Sequence, residues 1–154
     1  MSHHRVLEHT IRIAAPVQAC QRFFTPAGEE LWVDGWRPSY LHPTDGRTEP
    51  GMVFTTGSGD DFTVWSLVDF DTVGHHARYT RVTPASRSGF VEVRCVALDA
   101  RSTAVTVTYT LTALTPSGEK LLAALDEAAF TAMIEGWRTS IEARLPQLLL
   151  ASIR

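Results

Sequence analysis

Val105-Thr106-Val107-Thr108-Tyr109-Thr110-Leu111-Thr112, followed by Thr115-Pro116 and roughly 30 residues of helical periodicity, is the stretch that decides the fold. Apolar residues alternate strictly with threonine, whose branched side chain favours a strand while its hydroxyl keeps water on the outer face. Val105, Val107, Tyr109 and Leu111 then point inward. Beyond Thr115, Leu122, Leu125, Ala129, Ala132, Met133, Gly136, Ile141 and Leu145 recur at spacings of three and four, the apolar stripe of an amphipathic helix. Pro146 stops or kinks that helix at about Arg144, because a proline inside a helix costs about 3 kcal/mol. These features predict an α+β chain in which a curved antiparallel sheet of six to seven strands wraps around a long C-terminal helix. One helix does not fill the concave side of a wide sheet, so a cavity between the two is expected.

Working back from that strand, runs with strand character cover Val6 to Ala14, Met52 to Thr56, Phe62 to Phe70, His75 to Thr83, Gly89 to Ala97 and Ala104 to Leu114, with a short one at Ser39 to His42. The connections between the later strands are short, which favours an antiparallel meander. In the first strand Leu7, His9, Ile11 and Ile13 share the apolar face. Two short helices follow, Val17 to Phe24 and Pro26 to Val33, broken by the Thr25-Pro26 pair. Gly35 to Pro50 reads as a loop at the rim of the cavity.

A chain of 154 residues amounts to a single domain, residues 1–154, with one core. Its net charge of -3 gives no electrostatic reason to bind nucleic acid or anionic membrane. No stretch approaches the roughly 18 apolar residues of a membrane span, and Met1-Ser2-His3-His4-Arg5 lacks the apolar core of a secretory signal, so a cytoplasmic location is the simplest expectation. Cys20 and Cys95 fit neither a disulfide framework nor metal spacing and read as buried apolar groups. His75-His76 alternate across a strand and do not share one ion, so neither a metal nor another cofactor is expected.

The candidate site is aromatic. Trp32, Trp36, Phe54, Trp65, Tyr79, Tyr109, Met133 and Trp137 are the expected wall, although each of them is equally at home in a packed core. Small residues along the helix, among them Ala129 and Gly136, leave space where a filled core would carry leucine. His9 and Tyr79 are expected to offer hydrogen bonds into the cavity. Arg81 shares a face with Tyr79, and Glu92 with Arg94. An inward Arg81 needs Glu92 or an anionic ligand group, whereas on the outer face these charges form cross-strand pairs. No glycine-rich phosphate loop, His-Glu-x-x-His or Gly-x-Ser-x-Gly pattern is present. The catalytic residues, if any, are unknown, and the sequence leans away from an enzyme.

The chain resembles the START-related superfamily (SRPBCC), which includes polyketide cyclases and birch-pollen-allergen-like proteins. The residues that carry the resemblance are Ala15-Pro16, the stretch from Phe24-Thr25-Pro26-Ala27-Gly28-Glu29 to Trp32 and Gly35-Trp36, Glu49-Pro50-Gly51-Met52-Val53-Phe54, and Val107-Thr108-Tyr109 to Leu114. The resemblance spans nearly the whole chain and implies the helix-grip fold, with a small hydrophobic or aromatic molecule bound, carried or sequestered between sheet and helix. It implies two alternatives: a cyclase/dehydrase-like or hydrolase-like enzyme using His9, Tyr79, Arg81 or Glu92, and an interaction module or homodimer using the apolar tail Leu148-Leu149-Leu150. No motif maps onto a catalytic set of the cyclases, and the glycine-rich loop of the pollen-allergen branch has only a loose echo in Gly57-Ser58-Gly59.

Overall fold

A computed structural model of the chain describes residues 3–151 and residue 153. Met1 and Ser2, from the amino-terminal stretch considered above as a secretory signal, and two residues of the tail, Ser152 and Arg154, lie outside the described residues. The strands are β1 (His4–Ile13), β2 (Ser39–His42), β3 (Val53–Thr56), β4 (Thr63–Asp71), β5 (His76–Thr83), β6 (Arg87–Asp99) and β7 (Ser102–Ala113). The helices are α1 (Val17–Phe23), α2 (Pro26–Glu29), α3 (Pro116–Ala124), α4 (Glu127–Ala143) and α5 (Leu145–Leu150). Every expected strand forms, its ends displaced by no more than two residues.

All pairings are antiparallel, in the order β1-β7-β6-β5-β4-β3-β2. The meander from β2 to β7 follows the chain, and β1 closes beside β7, with Leu7 opposite Tyr109 and Ile11 opposite Val105. Gly89 lets β6 and β7 approach closely at the curve of the sheet, since a Cβ there would run into the carbonyl of Thr110.

The helix expected from Thr115 to Arg144 is two helices. Leu125 leaves helical geometry and Asp126 turns extended, its carboxylate accepting from the Ala129 backbone N–H at 2.8 Å. Such an N-cap contributes about 1 kcal/mol and restarts the helix in a new phase. The buried positions of α4 are consequently Phe130, Ile134 and Ile141, with Trp137 and Met133 partly covered, while Ala132 and Gly136 face solvent. Gly136 therefore leaves no room in the interior: a Cβ added to it would meet nothing. As expected, α4 ends just before Arg144, and Pro146 lies in the first turn of α5.

The core has two parts. The larger joins β1, β6, β7, α1, α4 and α5 around Ile13, Phe23, Trp32, Val105 and Ile134. The smaller lies under β3, β4 and β5 around Met52, Phe54, Leu67 and Tyr79. Tyr109 packs against both.

Candidate functional site

An apolar cavity of about 200 Å³ lies at the junction of the two core clusters. Its walls come from the concave side of the sheet (Phe54, Trp65, Tyr79, Arg81, Val91, Val93 and Tyr109), from the α1–α2 region (Phe24, Glu29, Val33 and Trp36) and from Trp137 of α4.

The rings are locked to one another. Phe54 stacks on Trp65 at 5.7 Å between centroids, which follows from their pairing across β3 and β4. Trp36 meets both edge-on, and its indole N–H donates to the Pro26 carbonyl at 3.0 Å. The Trp65 N–H donates to the Thr56 hydroxyl. Each indole thus satisfies its polar group outside the cavity and turns ring surface toward it, which makes an apolar wall with little freedom to collapse. Tyr79 donates its hydroxyl to the Phe24 carbonyl at 3.0 Å, a bond that ties β5 to the end of α1.

Arg81 is the electrostatic feature of this wall. Its alternation with Tyr79 on β5 turns it inward, where it is only 8% exposed. Nη2 donates to the Thr83 hydroxyl and, at 3.5 Å, to that of Thr63. Thr63 donates to the Asp61 carbonyl, so Thr83 donates to Thr63, and the relay runs in one direction from the guanidinium to the backbone. The guanidinium carbon lies 5.1 Å over the Trp65 ring. No carboxylate pairs with Arg81 among the described residues, and Nε has no partner. Burial, with a smaller contribution from Arg87, pulls its pKa down to about 10, so it stays charged at neutral pH.

Glu29 faces the same space, a residue not singled out in the sequence beyond its place in the Phe24 to Trp36 stretch. Its carboxyl makes no hydrogen bond or ion pair, and burial holds it well above the usual carboxylate range. Tyr109, whose hydroxyl likewise has no hydrogen-bond partner, is pushed up by burial; the positive charge of Arg81 and the negative charge of Glu29 act on it in opposite directions.

The remaining expected residues lie elsewhere. Trp32 is buried behind the wall, donating to the Phe23 carbonyl at 2.8 Å and packing edge-on against Phe24 and Trp137. His9 occupies the expected face of β1, but bonds Glu135 of α4 at 2.7 Å and does not reach the cavity. Glu92 is on the outer face, 3.7 Å from Arg78 and 3.5 Å from His76. The pairing of Arg78 with Glu92 and of Arg81 with Gly89 separates the two arginines: one joins an exterior ion pair, the other turns into the cavity. Ala129, Met133 and Gly136 are not among the lining residues. Among the described residues no three His, Cys, Asp or Glu side chains are placed to hold a metal ion, and no helix is long and apolar enough to cross a membrane.

The sequence matches no family model and no curated protein. Solved structures do match. An aromatase/cyclase, Zhui, from Streptomyces sp. R1128 is 19% identical over 93% of this chain and 96% of that one, with a TM-score of 0.64. Norcoclaurine synthase from Thalictrum flavum, solved with dopamine and hydroxybenzaldehyde, is 12% identical over 91% of this chain and 87% of that one, also at 0.64. Major latex-like protein 151 from Panax ginseng is 12% identical over 93% of this chain and 98% of its own, at 0.67. At these identities the likeness is one of fold: the chain has the helix-grip architecture.

Proposed function

We propose that this helix-grip chain binds a small amphipathic aromatic molecule of one or two rings, carrying an anionic oxygen, in the cavity between its sheet and α4. The observation that carries the reading is Arg81: a guanidinium buried against Trp65 with an unpartnered Nε and no carboxylate beside it. A charge taken out of water is expensive unless it is paired, so the missing counter-ion is the ligand's. A carboxylate or phenolate oxygen there would complete the guanidinium's hydrogen bonding in a water-poor site.

Size narrows the class. A cavity of about 150 Å³ admits benzene; one of about 200 Å³ suits one or two fused rings better than a sterol or a four-ring polyketide. The rings of Phe54, Trp65, Trp36 and Trp137 that line it suit an aromatic guest. One-ring compounds, dopamine and hydroxybenzaldehyde, occupy the structure of the Thalictrum synthase, and the Streptomyces neighbour is named as an aromatase/cyclase.

Catalysis in the same cavity has narrower support. Of His9, Tyr79, Arg81 and Glu92, only Tyr79 and Arg81 face it, and the Tyr79 hydroxyl is already committed to a backbone carbonyl. Native mass spectrometry of the purified protein, together with calorimetric titration of benzoate, 2-naphthoate, a sterol and a fatty acid, tests the reading. Micromolar binding of the ring carboxylates, lost in Arg81→Met, is expected. Sterol or fatty-acid binding without ring-carboxylate binding would overturn it.

A further inference from the structure

Two ionisable side chains line one small aromatic cavity and do not pair with each other. Arg81 comes from β5, held from behind by Thr83 and Thr63. Glu29 comes from the end of α2, with its carboxyl free of any hydrogen bond. Both line the same space, yet they lie too far apart for an ion pair. No ion pair joins Glu29 to Arg81, although Glu29 is near enough to raise Tyr79 and Tyr40, and Tyr109 feels both charges.

Resting on the proposed aromatic-anion site, we propose that Glu29 and Arg81 hold the two ends of one ligand, an aromatic carboxylate or phenolate whose anionic oxygen sits on Arg81 and whose second oxygen, a carbonyl or ether acceptor across the rings, accepts a hydrogen bond from the Glu29 carboxyl. The cavity asks for this asymmetry. An ionised Glu29 would be a second unpaired buried charge and would repel an anionic guest, whereas a neutral carboxyl is a donor that lacks only an acceptor. Burial favours that neutral form. The groups facing Glu29 reinforce it: Tyr40 from β2, Tyr79 from β5, Tyr109 from β7 and Glu30 from its own turn supply no positive charge, and Arg81 is spent on the anion.

The sign of the pH dependence follows. Binding of the two-ended ligand is strong while Glu29 carries its proton and weakens as pH rises through its elevated value, with a proton taken up on binding above that point. Arg81 keeps its charge throughout this range.

The test is calorimetric titration of 2-naphthoate and 6-acetyl-2-naphthoate from about pH 5.5 to about 8.5, where both ligands are ionised. It uses wild type, Glu29→Gln, Glu29→Leu and Arg81→Met, in buffers of different ionisation enthalpy to count protons. Wild type is expected to favour the acetyl compound by about tenfold at the acid end. Glu29→Gln, a donor at every pH, keeps that preference with no proton uptake. Glu29→Leu loses the preference and still binds 2-naphthoate. A preference that survives in Glu29→Leu, or a wild-type pH profile reproduced by Glu29→Gln, overturns the assignment of Glu29. If 2-naphthoate binds and is lost in Arg81→Met, yet wild type shows no preference for the acetyl compound, the Glu29 inference alone fails. If neither naphthoate binds wild type, the aromatic-anion site fails and the inference with it.

Discussion

Replacing Arg81 with methionine should make the free protein more stable and the ligand-binding protein worse. Burial pulls the guanidinium down to about 10, so the fold holds that charge at a cost. At about 1.4 kcal/mol per pKa unit this comes to about 3 kcal/mol. Methionine keeps much of the aliphatic volume and removes the charge. Against that gain stand the lost bond to Thr83 and the lost cation–π contact with Trp65, about 1 kcal/mol each. Thr83 and Thr63 remain bonded to each other at 2.6 Å, so no hydroxyl is stranded. A net gain of about 1–2 kcal/mol is expected, comparable to gains seen when buried charges are replaced by apolar groups. In a domain of this size that raises the midpoint of a thermal scan by about 2–8 °C. In the same variant 2-naphthoate should lose about 2 kcal/mol or more of affinity, roughly thirtyfold, because its carboxylate would be buried without a partner. Thermal and urea unfolding beside calorimetry read both quantities. A lower midpoint in Arg81→Met would mean that the arginine is there for the fold, and the reasoning from the missing counter-ion would be refuted.

Other substitutions separate neighbouring parts of the account. His9→Phe should leave 2-naphthoate affinity within about twofold, well below the tenfold expected of one lost hydrogen bond, since His9 serves the β1–α4 contact through Glu135; a larger loss would put it back in the cavity. Leu148→Ala should cost about 2–4 kcal/mol in urea unfolding, because that side chain is 2% exposed and closes the larger core, while Leu150→Ala, at 88% exposed, should stay within about 0.5 kcal/mol. Equal effects would contradict the docking of α5 by Leu148. Gly28→Ala should destabilise by about 3 kcal/mol, since its Cβ would run into the Arg22 carbonyl; an unchanged urea midpoint would show that α1 and α2 are not packed as described.

Strand parity was legible because alternation is local. Thr106 to Thr112 on β7 and Leu7, Ile11 and Ile13 on β1 lie on the faces that their periodicity implies. Strand order was not, and it decided the fate of His9. Its face was right, but β1 closes beside β7 with His9 opposite Val107, under α4, so its side chain meets Glu135 and not the cavity. The arginines turned on register: with three residues between β5 and β6, Arg78 falls opposite Glu92 and Arg81 opposite Gly89, a pairing that alternation alone does not supply. The phase of α4 was hidden by a helix break at Asp126, an aspartate followed by Glu127 that falls inside the run of residues with continuous helical periodicity. Glu29 had no signal of its own. A glutamate after Gly28 reads as an ordinary helix end, and only the folded chain brings it to the wall it shares with Phe24 and Trp36.

The most direct test of the aromatic-anion site is a crystal structure of the protein with 2-naphthoate. The account predicts the rings between Trp65, Trp36 and Trp137 with the carboxylate within hydrogen-bond distance of Arg81 Nε. Naphthoate bound outside the cavity, with Arg81 Nε still without an anionic partner, would contradict it.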